Sequence, residues 1–337
     1  MILNRRLAPA TKSLLFFTPF LTRVSCNSDN NTPECSGLQE PSKAFILQSI
    51  NPEICQIKSG LCAVHESYDA FLIDIWGVIH DGNSLYSGAY ECLTQLQQTG
   101  KTVVLLSNAA RRQRDVKREL EQFGIEAIMY QGIVSSGELT WQVLNQRLQE
   151  QSMPAKTAYY LGPERSRNLI DGLDLNWVDD IRKADFVLNA GAVTGNPTDT
   201  SDCEKLLQEA LRIDLPMICA NPDIIAIRHG KAGISAGAIA QSYAALGASH
   251  IEYFGKPYAP IYRQAFELCD PVPEKKILAL GDAFATDICG ASGMGIDSWL
   301  IAAGIHRQSL SPLNQNSILE TAEEYVLPTF ASELFVW

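Results

Sequence analysis

The segment Tyr68-Asp69-Ala70-Phe71-Leu72-Ile73-Asp74-Ile75-Trp76-Gly77 constrains this chain more than any other. Phe71 to Ile73 is an apolar run that reads as a buried strand, and it ends in a carboxylate and then a glycine turn. In an open α/β sheet the chemistry sits at the carboxyl ends of the strands, where the backbone leaves the sheet. An acid at such a place serves as a metal ligand, a nucleophile or a helix cap, and the residue type alone leaves all three open.

The chain then repeats the strand–helix pattern. Ser87 can cap a helix to about Thr99, with Leu93 and Leu96 on one face and Gly100 as terminator. Lys101 to Leu106 reads as a second buried strand that ends at Ser107-Asn108, and Arg114 to Phe123 as a charged amphipathic helix closed by Gly124. Ile128 to Val134 is a third strand, and Ser136 to about Gln149 a helix. Strands follow at Thr157–Leu161, Asp185–Leu188 and Pro216–Ala220, with helices near 201–212 and 235–246. The pattern ends with a strand running into Gly281-Asp282, a helix from about Thr286, and a last strand at Asp297–Ala302. Alternation of apolar strands with helices predicts a Rossmann-like α/β fold, a parallel sheet covered on both faces. The length favours a second α/β unit inserted in the first: a core at 65–151 and 250–337, and a cap at 152–249.

Hydrophobic content of 46% and charged content of 19% over 337 residues suit a globular protein with a full core. A net charge of -11 argues against non-specific binding to nucleic acid or anionic lipid, and is compatible with a site that concentrates divalent cations. The nine cysteines form no C-x-x-C pair, so they read as buried free thiols in a reducing compartment and not as a zinc site. Residues 1–42 differ from the rest. Arg5, Arg6, Lys12 and Arg23 precede the first acid, Asp29, and 27–42 read as a linker. Leu14 to Leu21 is too short to span a bilayer, so no stable membrane insertion is expected. The segment reads either as a signal or organelle presequence or as an untargeted tail, and the body as a cytoplasmic protein.

Four places at strand ends or helix starts carry chemistry: Asp74; Ser107 and Asn108; Lys256 in Gly255-Lys256-Pro257, before a helix that begins near Ala259; and Asp282 with Asp287. If the strands are neighbours, these side chains converge. Asp74 and Asp282 can hold a hard cation such as Mg²⁺ through oxygen. Ser107 and Lys256 can bind phosphate oxygens, and the free oxygen of Asp74 can attack phosphorus.

In order and placement this set resembles the haloacid dehalogenase superfamily of phosphohydrolases, subclass IIA, whose cap lies between the second and third motifs. The resemblance covers roughly residues 65–308 and includes Val134-Ser135-Ser136-Gly137, Leu161-Gly162-Pro163, Ala220-Asn221-Pro222-Asp223 and Gly304-Ile305-His306. It is closest to a branch marked by D-x-W-G-V-x-H-D-G, here Asp74 to Gly82. It implies that Asp74 is nucleophile and Mg²⁺ ligand, forming an aspartyl phosphate. It implies further that Ser107, Asn108 and Lys256 bind the phosphoryl group, that Asp282 ligates the metal with Asp287 in support, and that the carbonyl of Trp76 is a further ligand. The implied substrate is a small phosphorylated metabolite selected by the cap, and caps of this subclass often mediate homodimers.

One departure matters. Phosphatases of this superfamily carry a second Asp two residues after the nucleophile, as general acid and base, where this chain has Trp76. Indole cannot exchange a proton at neutral pH, and losing a general acid costs about 10²–10⁴-fold in rate. Three readings follow: a phosphatase for good leaving groups; a phosphatase with a relocated acid, His80 first and Asp81 second; or a low-turnover phosphate-ligand-binding or regulatory protein. Dehalogenation needs no Mg²⁺, and the presence of both Asp282 and Asp287 argues against it. A dehydrogenase is disfavoured because no G-x-G-x-x-G follows the first strand. Arg111 and Arg112 either touch an anionic substrate or face solvent, Asp223 either faces the site or does not, and His306 reads as structural.

Overall fold

The computed structural model describes residues 55–153, 155–193, 197–228 and 231–337. The expected tail or targeting segment at 1–42, with Cys26 and Cys35, lies outside them. Among the described residues the strands are β1 (Gln56–Ile57), β2 (Ala70–Asp74), β3 (Thr102–Ser107), β4 (Gly132–Ser135), β5 (Thr157–Leu161), β6 (Asn176–Trp177), β7 (Phe186–Asn189), β8 (Met217–Cys219), β9 (Ile225–Arg228), β10 (Lys231–Ile234), β11 (Ile251–Tyr253), β12 (Ile277–Gly281), β13 (Asp297–Ile301) and β14 (Phe330–Ser332). The helices are α1 (Ala89–Gln98), α2 (Gln113–Gln122), α3 (Ser136–Gln149), α4 (Glu204–Arg212), α5 (Ala236–Ala245), α6 (Ala259–Cys269), α7 (Cys289–Gly293) and α8 (Gln315–Ala322).

A seven-stranded sheet has the order β1-β14-β13-β12-β2-β3-β4, and a five-stranded one the order β11-β8-β7-β5-β6. Every pairing in both is parallel. β9 and β10 form a separate antiparallel hairpin. The smaller sheet lies in sequence between β4 and β12 of the larger, and its last strand, β11, runs past the boundary expected at 249.

The apolar runs form strands because both faces of the larger sheet are covered. In β2, Ala70 and Leu72 face one buried cluster, with Leu139 and Leu144 of α3 and Ile261 and Ala265 of α6. Phe71 and Ile73 face the other, with Leu93 and Leu96 of α1 and Val116 and Leu120 of α2. β3 and β12 divide their residues the same way. Strand order reverses between β2 and β12, since the chain goes outward through β3 and β4 on one side and through β13 and β14 on the other. Ile73 pairs with both Leu105 and Leu280, so β2, β3 and β12 end nearly level at this switch point.

Several expectations are corrected. The third strand starts later than Ile128: residues 127–129 form a 3₁₀ turn with Ile128 70% exposed, and the strand begins at Gly132. The strand at 297–301 is not the last, because β14 adds to the same sheet and β1 adds to β14. The helix expected from Thr286 is a π-helical turn at Phe284–Ile288 that passes into the short α7. Gly88, and not Ser87, occupies the N-cap of α1, whereas Gly100 at φ +71° does terminate it. Cys55, Cys92, Cys203, Cys219 and Cys269 are buried free thiols, but Cys62 is exposed. Among the described residues no helix is long and apolar enough to cross a membrane.

Leu72 tests the central packing. It is 1% exposed in the middle of β2, so Leu72→Ala should lower the unfolding free energy by about 2–5 kcal/mol in urea. A loss below about 1 kcal/mol would mean that this face is not close-packed.

Candidate active site

Three buried carboxylates meet at the switch point. Asp74 is the last residue of β2, Asp282 follows β12, and Asp287 lies in the π-helical turn; each offers an oxygen within 4.8 Å of the others. Asp282 is fixed by close backbone approach. A Cβ at Gly77 or at Gly304 would fall 1.9 or 2.0 Å from its Oδ2, and the amide of Ile305 donates to the same oxygen at 2.7 Å. Gly77 also has φ +82°, a conformation that favours glycine. The amide of Ala283 donates to Asp287 Oδ2 at 3.1 Å.

Lys256 enters this cluster from the loop after β11. Its buried Nζ donates to Asp74 Oδ1 at 2.6 Å and to Asp287 Oδ1 at 2.8 Å. Burial opposes the charged ammonium, but Asp287 and Asp74 outweigh it and hold its pKa well above the ordinary lysine value. One ammonium facing three carboxylates leaves the cluster short of positive charge. Burial, with repulsion from Asp287 and Asp282, pushes Asp74 well up, and burial with Asp287 pushes Asp282 up to about 7. A set of buried carboxylate oxygens deficient in positive charge fits a hard divalent cation.

The cluster opens into a cavity of about 630 Å³. Ser107, Asn108 and Trp76 line it on the larger sheet's side, and Asn221 and Asp223 on the smaller sheet's side. Ser107 is buried at the end of β3, where its Oγ accepts from the amide of Ala109 at 3.2 Å. Asn108, expected among the phosphate ligands, is engaged otherwise. Its Oδ1 accepts from the amide of Lys256 at 2.7 Å, and its Nδ2 donates to the carbonyl of Lys256 at 3.0 Å and to Asp223 Oδ1 at 2.7 Å. It therefore positions Lys256 and ties Asp223 to the site.

His80 does not line the cavity. Its ring is fully buried, stacked on Phe123 at 4.7 Å and set edge-on to Trp76 at 4.9 Å, and its Nδ1 accepts from the amide of Gly82 at 3.0 Å. Burial lowers its pKa to about 4. A neutral imidazole behind the Trp76 ring cannot give a proton to a leaving group, which corrects the expectation of a relocated acid there. Asp81 lines the cavity, but its Oδ1 accepts from the amides of Asn83 and Ser84 at 2.8 and 2.9 Å. Those bonds, Ser84's first, lower its pKa, so it too holds no proton at neutral pH. Trp76 is braced from below: a Cβ on Gly82 would lie 2.6 Å from its Cη2 and Cζ3.

Arg112 is not at the cavity. It pairs bidentately with Glu138, at 2.8 and 3.2 Å, and lies over the Trp141 ring. Arg111 does line it, as do Tyr86 and Arg165, which sequence reasoning missed. Arg165 carried a usable signal: it follows Gly162-Pro163 at the end of β5, the same strand-end placement that singles out Asp74. His306 packs against Phe284 at 5.3 Å, as a structural residue would.

Comparison with known proteins bears on this arrangement. Residues 71–176 match a family model described as haloacid dehalogenase-like hydrolase, and residues 253–331 match one described as HAD-hydrolase-like. An acid sugar phosphatase of Staphylococcus saprophyticus is 25% identical over 243 residues, 71% of this chain and 88% of that protein. A 5'-nucleotidase of Bacillus subtilis is 24% identical over 245 residues, covering 72% of this chain and 90% of its own length. The crystal structure of a haloacid dehalogenase-like hydrolase from Brucella suis is 28% identical, with a TM-score of 0.72 over 83% of this chain and all of that one (100%).

The buried His80 predicts a pH effect on stability. Its folded pKa of about 4 lies below the usual 6.5, so the unfolded chain takes up the proton first. Its contribution is complete above pH 6.5 and is lost as pH falls towards 4. Unfolding free energy of the wild type should therefore fall more steeply over that window than in His80→Asn, by up to about 1.4 kcal/mol per pH unit. Equal slopes would contradict a neutral buried imidazole.

Proposed function

Because the chain belongs to the haloacid dehalogenase-like hydrolases, we propose that it is a divalent-metal-dependent phosphohydrolase of the IIA subclass, acting on a small phosphorylated metabolite through an aspartyl phosphate on Asp74. The observation that carries this reading is the meeting of Asp74, Asp282 and Asp287 within 4.8 Å, bridged by Lys256, on the floor of a cavity. The smaller sheet, set in sequence between β4 and β12, supports a cap inserted in the core, its last strand reaching Tyr253, just past the expected 152–249. The phosphatases among its relatives support the reaction class.

Asp74, Asp282 and the carbonyl of Trp76 would hold the cation, with Asp287 in support and Mg²⁺ the first candidate for an all-oxygen set. Such an ion, when bound, supplies positive charge that offsets the phosphoryl oxygens. Ser107 and Lys256 orient the phosphoryl group by a hydroxyl donor and a buried ammonium. A carboxylate oxygen of Asp74 attacks phosphorus, the bond to the leaving oxygen breaks, and the aspartyl phosphate is then hydrolysed by water. The leaving oxygen departs beside Trp76, which has no proton to give, and neither His80 nor Asp81 replaces it. Substrates whose leaving groups need little protonation, such as acyl or aryl phosphates, are therefore favoured. The same indole supports a second reading, a phosphate-ligand-binding protein of low turnover.

Kinetics separate the two. Wild type should hydrolyse an aryl phosphate, stop with EDTA and recover with Mg²⁺, and Asp74→Asn should lose at least about 10³-fold. Trp76→Asp should raise the alkyl phosphate rate relative to the aryl rate by at least about tenfold, the low end of general acid catalysis being higher still. An unchanged ratio would refute the missing-acid argument. Metal-dependent ligand binding without turnover of either ester would favour the second reading.

A further inference from the structure

The cavity above the acidic cluster has a second charged region, to which both sheets contribute. Strands β5, β7 and β8 of the smaller sheet end there, and Arg165, Ala190 and Asn221 respectively follow them into the cavity wall. Arg165 lies in the first turn of the 3₁₀ helix Glu164–Ile170. Among the described residues its guanidinium has no hydrogen-bond or ion-pair partner. Arg111 comes from the loop after β3. Its Nη1 donates to Glu119 at 2.7 Å and its Nη2 to the carbonyl of Asp115 at 3.2 Å, while its Nε is buried and unpaired.

Arg111 cannot easily retreat. Its carbonyl accepts from Ser135 Oγ at 2.8 Å, and its backbone is so close to Gly137 that a Cβ there would lie 2.3 Å from its nitrogen. Both guanidiniums border the same cavity; burial first, opposed by Tyr160, and then Arg111 lower the pKa of Arg165. The other charges on the wall have partners. Glu119 is held by Arg111, Asp81 by the amides of Asn83 and Ser84, and Asp223 by Asn108; Lys231 of the β9–β10 hairpin is itself engaged. Asp74 and Asp287 pair with Lys256, and Arg111 pairs with Glu119 and the carbonyl of Asp115 instead of with the acidic cluster. Two guanidiniums on one cavity, only one of them paired with a carboxylate, attract a further anion, and the planar fork of arginine suits carboxylate and phosphate oxygens.

We propose that Arg165, with Arg111, recognises a second anionic group on the substrate, a carboxylate or a phosphate carried by the leaving group, within the cavity that holds Asp74. This rests on the phosphohydrolase reading of that cavity and narrows its substrate class. Phosphate esters whose leaving group carries a further acidic group bind in preference to those whose alkyl or aryl leaving group is uncharged. Arg165 is then a specificity determinant with no part in bond cleavage.

Calorimetric titration of the full chain in Mg²⁺ tests this without turnover. The probes are propylphosphonate, 3-phosphonopropionate and propane-1,3-diylbisphosphonate. Wild type should bind at least one of the two doubly acidic ligands about tenfold tighter than propylphosphonate, and the preferred one identifies carboxylate or phosphate. Arg165→Ala should abolish that preference while leaving propylphosphonate affinity within about twofold, and Arg165→Lys should restore part of it. Circular dichroism establishes that both variants fold. Propylphosphonate binding with no preference in wild type, or a preference that survives Arg165→Ala, overturns the proposal and leaves the phosphohydrolase reading intact. Failure of all three ligands to bind wild type overturns the phosphohydrolase reading, and this proposal with it.

Discussion

The structure depends on one buried ammonium group. Lys256 Nζ sits between Asp74 and Asp287 at 2.6 and 2.8 Å, out of reach of water, and it is the partner that both carboxylates share. Taking such charges from water is costly, and removing one member of a buried pair destabilises by roughly 3–5 kcal/mol. The surrounding chain is arranged to hold this contact. Parallel pairing of β2 with β12 brings Asp74 and Asp282 out at one edge, and Asn108 fixes the backbone of Lys256 from the neighbouring strand. Even so, three acids outnumber one base. Such a buried excess of negative charge suits a bound cation, not a hydrophobic ligand.

Close backbone approach is the second constraint. Gly77 and Gly304 press on the Asp282 carboxylate and Gly281 on that of Asp287, where a Cβ would lie 2.0 Å from Cγ. Gly82 presses on the Trp76 ring in the same way. Trp76 is thus built into the loop: glycine packs under it, His80 packs beside it, and the cavity lies in front. The aromatic at the acid's position is packed into the loop, and His80 is buried beside it against Phe123.

Much of this architecture is legible in the sequence. β2, β3 and β12 read clearly because both sheet faces are buried, which makes their sequences continuously apolar. The convergence of Asp74, Ser107, Lys256, Asp282 and Asp287 followed from strand-end placement. β1 and β6, of two residues each, and β14, of three, give no periodic signal, since their position comes from neighbours already in place. The start of β4 was misplaced because a 3₁₀ turn exposes Ile128, an apolar residue that looked like strand. His80 misled for a different reason: its place on the loop was readable, but the direction of its ring was set by Phe123, more than forty residues away. Asn108 looked like an anion donor until the backbone of Lys256 claimed its amide. Arg165 has the strand-end placement that singles out Asp74, but its pairing with Arg111 on the same cavity depends on the fold and not on local sequence.

The most direct measurement of the central claim is a crystal structure of the protein treated with Mg²⁺ and beryllofluoride, which mimics a phosphorylated carboxylate. The account predicts BeF₃⁻ bonded to Asp74 with Ser107 and Lys256 on its fluorines, and one cation held by Asp74, Asp282 and the carbonyl of Trp76. Beryllofluoride on another residue, or a cation bound away from Asp282, would contradict it.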